Sequence, residues 1–499
     1  MIDSPIFFVV LTYLPATLGF LGCIKPKLIY PISMLTLLGI AAISLGGIFT
    51  GFETRYKLMW TGGIEFSFDQ YTFPLLLGAS LSLLIVLSLY RDKLSHYFYQ
   101  ICLVLLTALT VSFSAQDLIS IYIALELTGF CAFILIADRN DNKSLFHSFQ
   151  YLIGGGLAML IYLIGVVQGF QFSGTFLISD LSTATTPALC LIVAGLLTKA
   201  GIFICGLWVP NIYSHANRQT AAILSGCVTC AGVAPIARLS VSMEPIGNSM
   251  VVIGVLSGII AALYAVFERD DGRALGWSSV SQLGLAILSP SYACIYAMQH
   301  GLCKTLLFAT LSSPDKKSTK QCSEQESPTN VPEWLLVTIF IVASLSIMGL
   351  PFTTGFITKT WLKGDIPLEA SLITSTSTLL TATVYARLIW TRVSLYKRNL
   401  GTKLHRELEI GNTFNTQTII LLISGVSIIA FSITYPAAYY YENIQNSLTA
   451  IILASFLYTS VAGLQTENFV KPVTKTLDLV GAPFVVAALL LANLFYFKI

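Results

Sequence analysis

The sequence predicts an all-α polytopic membrane protein. It reads as a single membrane domain over residues 1–499, with about 14–16 transmembrane helices, two inverted five-helix repeats and broken helices. Three observations carry the prediction. Of 499 residues, 55% are hydrophobic and only 11% charged, where soluble domains carry about 25% charged residues. Apolar runs of about 20 residues recur along the whole length. Those runs do not alternate, as the ~10-residue strands of a membrane barrel would.

Taken in order, the runs place spans near 5–23, 29–50, 71–90, 97–114, 116–137, 147–170, 187–209, 219–242, 249–267, 275–289, 292–312, 333–362, 368–391, 416–437, 446–463 and 478–497. No basic leader precedes Pro5, and Lys25 and Lys27 follow the first run, so that run is expected to be a retained helix. The run 446–463 is the weakest. The run 333–362 is too long for one straight crossing and contains 349-GLPFTTGF-356, which predicts a break. The segment 191-LIVAGLLTKAGIFICGLWVPNIYSHANRQ-219 is interrupted in the same manner at Gly206, Pro210 and Asn211.

Charge sets the expected orientation. Odd-numbered loops collect about 19 of the lysines and arginines, against about four in the even loops and the C-terminus. That asymmetry predicts cytoplasmic odd loops and an N-terminus outside. The net charge of +3 and the lack of a basic run with interleaved aromatics give no reason to expect a nucleic-acid partner. The ten cysteines lie mostly inside apolar runs. The CxxC of Cys227 and Cys230 sits in a membrane span, so packing is expected there, not a disulfide or a metal.

The stretches 97–242 and 249–391 each hold five spans, and in each the last but one is interrupted beside a lysine: Lys199 in the first, Lys359 in the second. Five is odd, so the second unit enters from the opposite side, as in an inverted repeat with ion sites near the midplane. Residues 416–499 then add C-terminal helices.

Five cations fall within spans. Arg238 and Arg387 lie near predicted helix ends and are expected to snorkel to the interface. Lys199, Lys304 and Lys359 lie deeper, and Glu126 is a deep acid in 119-ISIYIALELTGFCAFILIA-137. An ammonium at the bilayer centre costs at least ~2.5–3.5 kcal/mol, so such groups are functional-site candidates. The candidate proton relay is Glu126 paired with Lys199, then Lys304 with His300 one turn away, then Lys359. Two alternatives stand beside it: Glu126 and Lys199 as a static pair, and His300 bonded to a backbone carbonyl. His215 is expected to be structural, and Asp69 and Asp117 to sit at helix N-termini. No nucleophile–base set, phosphate loop or metal spacing appears. No cofactor or metal site is therefore expected, and no redox site in this chain.

At this point the residues resemble a family. The segment 198-TKAGIFICGLWVPNIYSHANRQTAAILSG-226 is similar to the signature of the antiporter-like subunits shared by respiratory complex I and the Mrp-type Na+/H+ antiporters. The stretches 124-ALELTGF-130, 273-RALGWSSVSQLG-284, 299-QHGLCKTLLF-308 and 349-GLPFTTGFITK-359 agree in the same order. The resemblance runs from about residue 65 to 390. It implies a 14-helix core, inverted five-helix repeats and a proton path. In it Glu126 resembles the acid of the fifth helix and Lys199 the lysine of the broken seventh. Lys304 and His300 resemble the eleventh-helix motif, and Lys359 the lysine of the broken twelfth. Three features depart. Cys230 stands where many relatives have an eighth-helix lysine, so that water or Thr229 would have to substitute. The loop 313–331 is short and polar. The spans beyond about 445 exceed the usual core.

The length, Lys359 and the string LWVPNIY resemble the D-type Mrp protein most, with the complex I proton-pumping subunits close behind. The implied function is that of a proton-translocating subunit of a multisubunit Mrp-type cation/proton antiporter. The alternative is a proton-pumping membrane subunit of an NADH-quinone, or NAD(P)H/ferredoxin–plastoquinone, oxidoreductase. Implied partners are homologous antiporter-like subunits, small membrane subunits, the lipid bilayer and protons, with Na+ the candidate exchanged cation. The implied location is a bacterial plasma membrane or another energy-transducing membrane. A single-chain solute carrier and a scaffold that has lost conduction are the competing classes.

Overall fold

The structure, a computed structural model, describes residues 5–58, 64–138, 141–311, 331–403, 416–433 and 439–464. Helix meets every expected span from 5–23 to 446–463. The expected span 478–497 and nearly all of the loop 313–331 lie outside the described residues.

The chain begins with α1 (Pro5–Ile24) and α2 (Ile29–Thr50), then β1 (Thr54–Lys57) and β2 (Glu65–Phe68). It continues through α3 (Thr72–Leu89), α4 (His96–Ser114), α5 (Leu118–Ile136) and α6 (Asn142–Ser173). The interrupted segment gives α7 (Thr186–Ala200) and α8 (Trp208–His215). The eighth span is α9 (Arg218–Ile223) and α10 (Val233–Ser242), joined by a π turn over Leu224–Val228 and a 3-10 turn over Thr229–Gly232. Then follow α11 (Glu244–Phe267), α12 (Asp271–Ala286), α13 (Pro290–Thr310), α14 (Glu333–Met348), α15 (Thr354–Asp365), α16 (Leu368–Lys403), α17 (Thr416–Ile433) and α18 (Tyr441–Leu464).

Among the described residues, seven helices are apolar and long enough to cross a membrane. The centre of the bundle is α3 and the eighth span, whose apolar windows are 94% and 100% buried. By contrast α2 and α6 are 33% buried and present Leu35, Phe49, Phe149 and Ile153 outward. Small residues let the central helices close up: a Cβ at Gly301 of α13 would fall 2.6 Å from the Gly226 carbonyl. Asp117 caps α5 by accepting from the Ser120 amide at 2.7 Å, as its place before an apolar run predicts. Cys227 and Cys230 are buried free thiols that donate to the Ala79 and Ala297 carbonyls at 3.6 Å and 3.7 Å.

Two features were not expected. One is the antiparallel pair β1–β2, in which Glu65 binds Arg55 at 2.9 Å and Lys57 at 3.4 Å. Four residues per strand are too few to register against the surrounding apolar runs. The other is the set of protein partners that holds Arg238. That residue is 6% exposed, and its guanidinium turns inward. It donates to both Asp69 oxygens (2.6 Å and 3.0 Å), to Thr72 Oγ1 and to the Phe113 carbonyl. Asp69 also accepts from the amides of Tyr71 and Thr72 at the start of α3, so its helix-terminus role and its ion pair coexist. Burial works against ionisation of Asp69. The Arg238 charge and the hydrogen bonds from Arg238, Ser67 and Tyr71 outweigh it and hold the carboxyl below its usual value. Arg387 is likewise buried, donating to the Glu268 carbonyl at the end of α11.

Candidate functional site

Both interrupted spans are broken by the same backbone device. Gly201 (φ 66°) follows α7 and Gly349 (φ 88°) follows α14. Left-handed φ suits glycine because a Cβ would crowd the carbonyl. At the first break the Ile202 amide donates to the Leu197 carbonyl and the Gly201 amide to that of Thr198. At the second, Leu350 donates to Leu345 and Gly349 to Ser346. This is a Schellman motif at each, and it leaves carbonyl oxygens at the end of a half-helix, where the helix dipole is negative.

Lysines occupy those ends. Lys199 lies in the last turn of α7. Its ammonium is 3.5 Å from Glu126 Oε1 and donates to the Leu125 carbonyl at 3.2 Å. Lys359 sits on α15, yet reaches back across the break to donate to the Ile347 carbonyl, in the last turn of α14, at 2.6 Å. A carboxylate, a carbonyl and a dipole end together offset the insertion cost of Lys199. Lys304, fully buried on α13, donates to the Leu275 carbonyl of α12 at 2.6 Å and lies 5.5 Å from the ring centre of Tyr385.

His300 is fully buried, and neither ring nitrogen has a hydrogen-bond partner among the described residues. The carbonyl-bonded alternative is therefore not what the structure shows. His300 lies within electrostatic reach of both Lys304 and Lys359. The five relay candidates thus fall into a pair, Glu126 with Lys199, and a trio, Lys304, His300 and Lys359. Among the described residues no hydrogen bond or ion pair joins pair to trio. The distorted middle of the eighth span lies between them. Thr229 borders the Gly201 break and receives the Tyr213 hydroxyl at 3.4 Å, while Cys230 packs on the Ala297 carbonyl of α13. π turns inside helices often mark functional positions.

Sequence reading missed several groups around Lys199. A Cβ at Gly129 of α5 would fall 2.7 Å from the ammonium, and one at Gly155 of α6 would fall 3.4 Å from it. The run Gly154–Gly156 in an apolar helix was the available signal, since small residues mark close approach. Trp208 donates from its indole to the Thr198 carbonyl at 2.9 Å, closing the break. No sequence signal distinguished Tyr385. One prediction follows from the fit and from the proton path expected from sequence: Gly129→Val should displace the Lys199 ammonium and slow proton flux by about 10²-fold, with little change in melting temperature. Flux into vesicles and a melting curve measured on the same sample check it.

The same chain can be set beside known proteins. The family model described as NADH:quinone oxidoreductase/Mrp antiporter, TM, matches residues 115–389. NADH-quinone oxidoreductase subunit N of Desulforudis audaxviator is 27% identical over 324 residues, covering 58% of this chain and 64% of that protein. The D-type component of the Na(+)/H(+) antiporter of Alkalihalophilus pseudofirmus is 25% identical over 293 residues, covering 54% and 59%. The matched segment thus spans less than two thirds of these relatives' length. Among solved structures, one from the Mrp complex of Dietzia sp. DQ12-45-1b has a TM-score of 0.70 at 19% identity, covering 92% of this chain and 100% of that one. One from respiratory complex I of Thermus thermophilus has a TM-score of 0.68 at 19% identity, covering 86% and 97%. At such identities the likeness is one of fold.

Proposed function

Because this chain belongs to the NADH:quinone oxidoreductase/Mrp antiporter transmembrane family, and is an antiporter-like integral membrane subunit, we propose that it moves protons across the membrane within a multisubunit complex. The observation that carries the reading is the pair of glycine-stopped helices, each with a buried lysine at the stop and, for Lys199, a carboxylate at 3.5 Å. A lysine so placed changes proton affinity when its acid moves or a neighbour loads. Glu126, Lys199, Lys304, His300 and Lys359 are the proposed relay, with Thr229 or water bridging where Cys230 stands. The matching breaks support two inverted repeats over 97–242 and 249–391. The cation-rich odd loops support an N-terminus outside.

The partners follow from exposure. The Glu126 side chain is 38% exposed, on a face of α5 that also presents Ile123, Leu127 and Phe130. A half-open acid facing acyl chains is costly. We infer that an adjacent subunit covers this flank, with small membrane subunits and lipid completing the surface. For the assembly we adopt the quinone-oxidoreductase type, which reverses the order expected from sequence. Subunit N is the name borne by more of the curated relatives. The Mrp-type antiporter, with Na+ as the exchanged cation, is the second reading, favoured by the 25% identity to the D-type antiporter component over 54% of this chain.

Purification of the chain with its native partners separates the two. Co-elution with iron–sulfur and quinone-reducing subunits supports the first, and co-elution with small antiporter subunits the second. Proton flux is then measured in vesicles holding the complex. A complex that moves no protons overturns the proposal.

A further inference from the structure

We propose that His147 and His215 form a proton-loading pair that feeds the Lys199–Glu126 site from the end of the bundle bearing the cationic loops. The inference rests on the proton-translocation reading above. It gives His215 a role beyond the structural one expected from sequence, and it adds His147, which sequence reading passed over.

The geometry is specific. His147 lies near the start of α6 and His215 at the end of α8, and their ring centres are 4.0 Å apart. Each imidazole is oriented by an oxygen at Nδ1. His147 Nδ1 is 3.2 Å from Gln150 Oε1. His215 Nδ1 is 2.8 Å from the Asn211 carbonyl and 3.0 Å from Ser214 Oγ. A carbonyl can only accept, so it fixes the proton of His215 on Nδ1 and leaves proton exchange to Nε2. Both residues are partly exposed.

The pair also sits on a route. His147, Tyr151 and Gly155 recur every four residues and share one face of α6. Tyr151 packs edge-on against Trp208 at 5.0 Å and lies within electrostatic reach of Glu126. Gly155 faces the Lys199 ammonium. Eight residues of helix separate His147 from Gly155, a rise of about 12 Å. That distance suits one hydroxyl and a few waters.

The charged groups on the elements around the pair are these. Arg273 of α12 donates to the Asn211 side chain and pairs with Glu268 at 3.0 Å. Asp270 and Asp271 stand at the start of α12, Arg218 at the start of α9 and Lys143 at the start of α6. The two rings are tilted 38° to each other, close enough for a proton to pass between them through one water. The step is then simple. Hydronium gives a proton to one Nε2. The imidazolium passes a proton inward, by way of Tyr151 and water, to a neutral Lys199 amine. The imidazole returns to its neutral form.

The test is the pH–rate profile of proton flux for the assembled complex in vesicles, comparing wild type with the double variant His147→Gln/His215→Gln. Loss of the loading pair lowers flux at alkaline pH, where free protons are scarce, by at least about ten-fold, leaves it near wild type at pH about 6, and is reversed by added imidazole. A purely structural role would lower flux equally at every pH and resist imidazole. That result, or an unaltered profile, overturns the pairing. If the double variant does not assemble, the single variants serve, each expected to shift the alkaline limb part of the way. Absence of flux in the wild type is a different failure, that of the transport reading itself.

Discussion

Lys199→Ala is expected to abolish proton flux, by about 10²–10⁴-fold, in a complex that still assembles. The site explains the separation of the two effects. Lys199 donates only to Leu125 and pairs only with Glu126 among the described residues, while the break beside it is closed by backbone bonds and the Trp208 indole. The fold therefore keeps its own fastenings when the ammonium goes. The decisive companion is Lys199→Arg. Arginine keeps the charge and pairs with carboxylates well, but it does not release its proton. A static ion pair predicts rescue by arginine, and a proton carrier predicts none. Flux in vesicles, with subunit content checked on the same preparation, reads the difference. Wild-type flux in Lys199→Arg would remove Lys199 from the relay.

The largest effect on stability is expected at Asp69 and Arg238. Removing one partner of a buried pair leaves the other charge uncompensated, at about 3–5 kcal/mol. Asp69→Ala or Arg238→Ala should therefore lower the melting temperature sharply in detergent. Replacing both with apolar residues of similar volume should recover most of the loss. The pH dependence has a definite sign. In the folded chain the Asp69 carboxyl is held below its ordinary value. Its stabilisation is thus fully present above the ordinary carboxylate range and is lost as pH falls through the depressed value. Wild type should lose thermal stability on acidification in a range where Asp69→Asn shows a flatter response. Equal slopes in the two proteins would mean that the pair does not carry this dependence.

Most of the architecture was legible because the bilayer allows little else. Apolar length alone placed helix from Pro5 to the run near 446–463, and the string 349-GLPFTTGF-356 located the second break; the first stop falls at Gly201, ahead of the expected Gly206, while Pro210 and Asn211 lie inside α8. The deep charges were legible for the same reason, since a lysine in an apolar run needs a partner, and Glu126 proved to be it for Lys199. What escaped depends on tertiary proximity. Arg238 and Asp69 lie 169 residues apart in the chain, and no local pattern joins them. His147 lies on α6 and His215 on α8, each ordinary by itself. The Cys230 substitution was visible, but the π turn that precedes it was not, because a single extra residue per turn leaves apolar periodicity almost unchanged.

The glycine stops also bear on biogenesis. α7 holds 15 residues and α15 holds 12, which makes rods of about 22 Å and 18 Å against a hydrocarbon layer of about 30 Å. Neither can cross alone, and each carries a buried lysine. Each stub must therefore dock on a companion helix as it enters. For α7 that companion is α5, already synthesised, which brings Glu126. For α15 it is α14, whose Ile347 carbonyl receives Lys359. Chain order is thus an assembly schedule, in which the acceptor of each amine is translated before the amine.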